Sequence, residues 1–437
     1  MKSNEFRATS VKNNKLGTPN TPRAISLFAG CGGFCEGIDL AGFSIKCAVE
    51  IDRFAAETYR HNFKDVPLIE GDIKKFVRDA ASEEIDKYGL QNIDLVFGGP
   101  PCQGYSQIGT RDLNDRRNHL YEEFARVVEK LKPRIFLMEN VPNLALLNRG
   151  HYRDLILKKF REIGYSNTTM LKVTASDFGV PQVRQRIVFI GTRDQEEFSF
   201  DLHEFVTKAL SNMTVSRPVT VWEAIEDLSK RKVVESGYTL PYPKGHDKHS
   251  EFQKMMRLDF SHGPYTTDTK LARGIGSGPI VLHNHHTKEI LEKRRHLISF
   301  LKPGQKADSL PKNLWNGKRP EKWRRLHPEL PSYTILAQMH RDLSEWVHPK
   351  LERWITVREA ARLQSFHDGF VFVGSEWQQL KQIGNAVPPL LGYALGRAAR
   401  EVLSQLNTDR KRAHRGSEPH IVAPKERSRA SAVAELL

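Results

Sequence analysis

Gly98-Gly99-Pro100-Pro101-Cys102-Gln103-Gly104-Tyr105-Ser106 is the stretch whose reading decides the fold. It follows Ile93-Asp94-Leu95-Val96-Phe97, a short apolar run with the character of a buried parallel strand. Two glycines and two prolines then forbid strand or helix to continue. A cysteine in such a loop stands at the carboxyl end of a strand, where open α/β sheets place their chemistry. A free cysteine is ordinarily a small buried residue. Here the loop's rigidity meets no evident structural need, and Gln103, Tyr105 and Ser106 crowd polar groups around one thiol. Cys102 is therefore a candidate nucleophile.

Upstream, Ala24–Phe28 reads as a first strand that runs into Ala29-Gly30-Cys31-Gly32-Gly33-Phe34 and then a helix from about Glu36 to Ala41. Strand, glycine turn and helix begin a nucleotide-binding α/β unit: glycines let a ligand approach the backbone, and the helix start offers free amides. A second strand, Ser44–Val49, ends in Glu50, twenty residues after Gly30, the usual place for an acid that binds ribose hydroxyls. Cys35 stands where the dinucleotide fingerprint has its third glycine, which weakens an NAD reading. Asp72, in Gly71-Asp72-Ile73, is on its own a turn or helix-cap residue.

Downstream, the polar stretch Gln107–His119, with Arg111, Arg116 and Arg117, reads as an exposed loop. Leu120, Phe124, Val127, Val128 and Leu131 share one face of a helix that Lys132-Pro133 stops. Arg134–Met138 is another buried strand and ends in Glu139-Asn140-Val141-Pro142, which puts an acid at the sheet's carboxyl edge near Cys102, able to share or donate a proton. A helix over Tyr152–Ile163 follows. Strands near 168–174 and 187–191 then flank Gln182-Val183-Arg184-Gln185-Arg186, where both arginines fall on one face of an extended segment.

The pattern fades over 194–216, where a domain boundary is expected. From 217 to 350 the periodicity is weak, with helices expected at Val221–Leu228 and Lys288–Phe300 and loops at Tyr238–Pro243 and Arg273–Gly278. His283, His285 and His286 lack thiols or carboxylates at metal-site spacing and read as phosphate or packing residues. Thr356 with Glu359 forms a capping box that starts a helix. Gln382–Pro389 precedes a helix to about Leu403.

Composition bounds these readings. A chain of 437 residues is too long for one core, so two domains are expected. No apolar run reaches the length of a membrane span and the polar start is unlike a signal peptide, so a cytoplasmic location is expected. Four cysteines do not make a disulfide scaffold, and Cys31 and Cys35 read as packing residues with no metal implied. The net charge is +15, and residues 230–330 hold twenty-one Lys/Arg against ten Asp/Glu, a net +11. Residues 1–23 carry +4 and residues 407–437 carry +3. The folded remainder is slightly acidic, so the basic segment reads as a phosphate-binding face.

Six strings, in order, resemble the motifs of the DNA (cytosine-5)-methyltransferases: Phe28–Phe34, Val49-Glu50-Ile51-Asp52 with Gly71-Asp72-Ile73, Pro100–Ser106, Glu139–Pro142, Gln182–Arg186, and Arg358–Phe366 with Gln382–Pro389. The resemblance implies an α/β fold: a Rossmann-like S-adenosylmethionine-dependent methyltransferase domain with a second, smaller target-recognition domain. It divides the chain into a disordered tail (1–22), a catalytic domain (23–205), a target-recognition domain (206–374), a segment returning to the catalytic domain (375–406) and a basic disordered tail (407–437).

The same resemblance makes Cys102 the nucleophile and Glu139 the holder of the base. Arg184 and Arg186 would contact the target base and its phosphates, Arg184 also favouring the thiolate. S-adenosylmethionine would be held by Phe28, Gly30, Gly32, Glu50, Ile51, Asp72, Ile73, Pro101, Leu120, Asn385 and Val387. It further implies a flipped-out cytosine in double-stranded DNA, a monomer, and a restriction endonuclease acting on the same site without a stable complex. Three other readings stay open: a transfer-RNA cytosine-5 methyltransferase, a catalytically silent DNA-binding regulator and, more weakly, an NAD-dependent oxidoreductase.

Overall fold

The computed structural model describes residues 21–79, 85, 87–101, 120–146, 150–196, 200–242, 249–258, 281–315, 317, 323–339 and 345–416. Cys102, the loop to His119, the Arg273–Gly278 loop, residues 1–20 and residues 417–437 lie outside them.

Strands apolar on both faces build the central sheet. In chain order they are β1 (Arg23–Leu27), β2 (Ser44–Glu50), β3 (Leu68–Glu70), β4 (Leu95–Gly98), β5 (Ile135–Asn140), β6 (Asn167–Thr174), β7 (Gln182–Val183) and β8 (Gln185–Thr192). All but β7 form one sheet in the order β3-β2-β1-β4-β5-β8-β6. Pairs from β3 to β5 are parallel, and β8 runs antiparallel to both β5 and β6. The order reverses between β1 and β4, which opens a crevice outside their carboxyl ends.

Successive side chains enter opposite cores, as the pleat requires. Leu95 and Phe97 belong to one core and Val96 to the other. The parallel strands alternate with helices α1 (Gly33–Leu40), α2 (Arg53–Asn62), α3 (Ile73–Asp79) and α4 (Leu120–Leu131), and α5 (His151–Glu162) follows β5. On the face of α3, α4 and α5, Phe136 stacks on Phe160 with ring centroids 3.8 Å apart. After the sheet come α6 (Leu202–Ser211), α7 (Val221–Ser229), β9 (Leu240–Pro241), α8 (Glu251–Met256), β10 (Val281–Leu282), α9 (Glu292–Ser299), β11 (Trp323–Arg325), β12 (Ser332–Tyr333) and β13 (Glu345–Val347). The chain closes with α10 (Val357–Leu363), α11 (Glu376–Asn385) and α12 (Pro389–Gly416). α12 packs on α1 so closely that a Cβ at Gly37 would run into the backbone of Pro389 and Tyr393.

The structure bears on four expectations. The boundary at 205/206 falls inside α6, which packs on β6 and α12 through Leu202, Val206, Ala209 and Leu210. α7 and α8 share the core of α10 and α12, and among the described residues of the middle only 290–354 has a small core of its own, around Ile298, Trp323, Val347 and Trp354. The last helix does not stop near Leu403 but enters the expected tail and ends at Gly416. Of the phosphate or packing roles expected for the histidines, His285 and His286 fit packing: both are buried, and burial holds both imidazoles below their ordinary pKa.

α10 ties these parts together. Thr356 caps it, with Glu359 bonding back, and Arg358 and Arg362 are wholly buried. Arg362 pairs with Asp227 of α7 and with Asp368, while Arg358 donates to the carbonyls of His283, His367 and Phe370. Burial holds His348 down to about 4 and His367 to about 3. An unfolded imidazole titrates near about 6.5, so these groups favour the fold fully above that pH and cost stability as pH falls toward 4. Each is expected to remove on the order of 1.4 kcal/mol per pH unit below about 6. Denaturant unfolding between pH 7 and 5 checks this, and His348→Phe should flatten the slope.

Candidate active site

The site begins where β1 ends. Phe28 adopts φ 54° and Gly30 φ 58°, a left-handed turn that lifts the chain out of the sheet. A Cβ at Gly30 would meet no atom within 4 Å, so this turn faces open space. Gly32, at φ 106°, leads into α1. Glu50 closes β2 beside it, where its carboxylate accepts the amides of Gly30 (2.6 Å), Ile51 (2.9 Å) and Asp52 (2.7 Å). Burial pushes the Glu50 pKa up, against the pull of these amides. Ile51, 66% exposed, offers an apolar side chain to the crevice.

The neighbouring strand ends join this edge. Gly71 donates its amide to the Glu50 carbonyl at 2.8 Å, and the next residue, Asp72, accepts from Lys74 and caps α3. Asp72 and Pro101 are exposed. Ile73 is buried in the core and Leu120 packs against the same core, so Ile73 has only its backbone to offer a ligand. From the far end of the chain, Asn385 is exposed, while Val387 is buried with its carbonyl 2.6 Å from where a Cβ of Gly33 would stand. Cys31 and Cys35 are buried beneath the turn, where burial pushes the Cys35 thiol up to about 12.

At the end of β4 two glycines permit close packing. A Cβ at Gly98 would run into the Leu27 carbonyl, and one at Gly99 would stand 2.9 Å from Glu139 Oε2. Asn140 Nδ2 donates to the Pro100 carbonyl at 3.0 Å and so fixes the entry to the Cys102 loop. Asn140 was not singled out beforehand, although a polar residue ending an apolar strand is the kind of group that must find a buried partner.

Glu139 and Arg186 meet, and Arg184 does not join them. Arg186 lies diagonally across the β5–β8 ladder, with its Nε 2.6 Å from Glu139 Oε1. Burial lowers the Arg186 pKa and Glu139 opposes that. Arg184 shares its inward face, as the alternation required, but its guanidinium donates to the carbonyls of Ile335 (3.0 Å), Gly384 (3.0 Å) and Ala386 (3.1 Å). It is 2% exposed and acts here as a brace. Gln182 works beside it, donating to Gln364 Oε1 at 2.7 Å and accepting the Ile335 amide at 2.9 Å. Among the described residues no group of three or more His, Cys, Asp or Glu could hold a metal, and no helix is long and apolar enough to cross a membrane.

The model of the C-5 cytosine-specific DNA methylases matches residues 23–401. The chain belongs to this family. The family takes its methyl group from S-adenosylmethionine. Type II methyltransferase M1.HphI of Haemophilus parahaemolyticus is 35% identical over 397 residues, spanning 88% of this chain and 87% of its own. M.DdeI of Desulfomicrobium norvegicum is 32% identical, spanning 85% and 86%. Among solved structures, a protein described as a DNA modification methyltransferase of an E. coli prophage superposes with a TM-score of 0.66 at 27% identity, over 88% of this chain and 99% of its own. The Dnmt2 methyltransferase of S. pombe, at TM-score 0.50 and 16% identity, shares the fold.

The position of Arg184 has a measurable consequence in this C-5 methylase. Arg184→Met takes this donor from the buried carbonyls of Ile335 and Gly384, while that of Ala386 keeps Gln364, at about 1–3 kcal/mol for each unsatisfied group. A large drop in melting temperature, beyond any fall in turnover, is expected. Unchanged stability with lost turnover would assign Arg184 to the substrate instead.

Proposed function

We propose that this methylase transfers a methyl group to carbon 5 of a cytosine flipped out of duplex DNA, within one short sequence, as the modification enzyme of a restriction-modification pair. The observation that carries the reading is the Glu139–Arg186 pair set against Gly99, at the mouth of the Pro-Pro-Cys loop and on the carboxyl edge of the sheet.

Carbon 5 of cytosine is a poor nucleophile until a thiolate adds at carbon 6 and turns the ring into an enamine. Cys102 is that nucleophile. Glu139, held by Arg186, hydrogen-bonds the ring nitrogen and the exocyclic amine and offsets charge as the adduct forms. A base then removes the carbon-5 proton and Cys102 leaves. A stacked base is out of reach of this loop, so the nucleotide must leave the duplex, at a cost of roughly a few kcal/mol.

The residues on the sheet edge fit S-adenosylmethionine. The turn at Gly30 faces open space, Glu50 is fixed by three amides with lone pairs left for hydroxyl donors, and Ile51 presents an exposed apolar side chain suited to a purine. Phe28, Gly32, Asp72, Pro101, Leu120 and Asn385, with the backbones of Ile73 and Val387, complete that set. When bound, the group supplies an electrophilic methyl on a sulfonium. Target recognition falls to the middle of the chain, above all to 290–354, and a monomer suffices. The type II relatives and the basic middle favour duplex DNA over transfer RNA.

Labelled S-adenosylmethionine offered with genomic DNA and transfer RNA separately tests the reading: label is expected in DNA, at cytosines of one context. Label confined to transfer RNA would overturn the substrate. Cys102→Ser should abolish transfer while duplex binding persists, and turnover near wild type would remove Cys102 from its role. Glu139→Gln, which keeps an acceptor for Arg186, is expected to lower kcat by about 10²–10³ with the fold intact, as read by single-turnover kinetics.

A further inference from the structure

The run that carries Arg184 and Arg186 has a second face. Gln182, Arg184 and Arg186 point inward and are buried, so Val183 points outward and is 46% exposed. Beside it, β12 pairs in parallel with β7, Ser332 opposite Gln182 and Tyr333 opposite Val183. Ser332 is buried like its neighbour, and Tyr333 is 43% exposed like its own. Two large apolar side chains thus stand side by side on the open face of β7 and β12, in the run that leads into Arg186.

The placement is rigid. Ser332 donates its amide to the Pro181 carbonyl at 2.9 Å, Thr334 Oγ1 donates to the Val183 carbonyl at 2.9 Å, and Ile335 donates its amide to Gln182 Oε1. The Tyr333 ring also carries a cation: Arg324 Cζ lies 4.0 Å from its centroid, with Trp346 on the ring at 5.9 Å. Arg324 and Trp346 are direct neighbours across β11 and β13, the pair that belongs to the small core of 290–354. A half-exposed aromatic ring stacked on a guanidinium, within a segment of net charge +11, has the chemistry of a nucleic-acid backbone contact rather than of a protein interface.

We infer that Val183, Tyr333 and Arg324 form a platform for the sugar–phosphate backbone of the DNA strand that carries the target cytosine. The inference rests on the proposed duplex substrate. Tyr333 and Val183 pack against deoxyribose, and Arg324, oriented by the ring, meets a phosphate. Val183 on β7 lies three residues before Arg186 on β8, so the platform belongs to the run that leads into the Glu139–Arg186 pair.

The test is duplex binding and methylation by the full chain at several salt concentrations, with wild type, Arg324→Gln and Tyr333→Ala. Arg324→Gln is expected to reduce the slope of log affinity against log salt by about one. Tyr333→Ala is expected to raise KM for DNA about tenfold and to leave KM for S-adenosylmethionine unchanged. A purely structural role would lower the melting temperature and leave the salt slope at the wild-type value. If wild type methylates DNA and the Arg324→Gln slope is unchanged, the platform is overturned alone. If wild type neither binds nor methylates duplex DNA, the proposed function falls and takes the platform with it.

Discussion

Three buried side chains on one extended run, Gln182, Arg184 and Arg186, hold together parts of the chain that lie far apart in sequence. Arg186 ends on Glu139, Arg184 on carbonyls of residues 335, 384 and 386, and Gln182 on Gln364 and Ile335. A guanidinium can replace its lost hydration only with a fixed set of acceptors, so its burial specifies where those acceptors must be. The consequence reaches the cofactor side of the crevice. Ala386, held by Arg184, precedes Val387, whose carbonyl lies against Gly33 at the start of α1. The Glu139 end of the sheet and the Gly33 end of the glycine turn are thus tied to one extended run.

A second buried layer repeats the device one helix away. Arg353 holds the Glu359 carboxyl down to about 2, and Arg362 does the same for Asp368. Burying such pairs costs several kcal/mol per ion before attraction and hydrogen bonds offset it, so their net gift to stability is small. Their effect is on arrangement. An apolar substitute at Arg362 would let α7 slide against α10, whereas two carboxylates gripping one guanidinium admit a single geometry.

The sheet was legible because parallel strands write themselves as uninterrupted apolar runs, and α4 because five apolar residues share one face. The residues expected on the donor side fall together for a related reason: the parallel order places the strand ends of β1, β2, β3 and β4 at one edge. What stayed hidden was direction. Nothing in Gln-x-Arg-x-Arg says that its first arginine turns to backbone carbonyls, because carbonyl acceptors carry no residue identity. Charge counting is coarse for the same cause. Arg325 lies within the basic segment yet is buried, donating to the carbonyls of Ile298 and His348. The +11 therefore overstates the charge on the surface, and the histidines grouped with it line a core.

Gly98 and Gly99 show why the loop opens on small residues before its two prolines. Flexibility is not what the site requires, since the next two residues have fixed φ and Asn140 clamps the Pro100 carbonyl. The requirement is distance. With a Cβ at Gly99 standing 2.9 Å from Glu139 Oε2, even alanine would force the carboxylate away from the loop or tilt it off Arg186. A nucleophile and a base-holding acid gain their advantage from being placed together before the substrate arrives. Here the proposed placement rests on a missing side chain, and a methyl group on Gly99 would act on the reaction by displacing the Glu139 carboxylate.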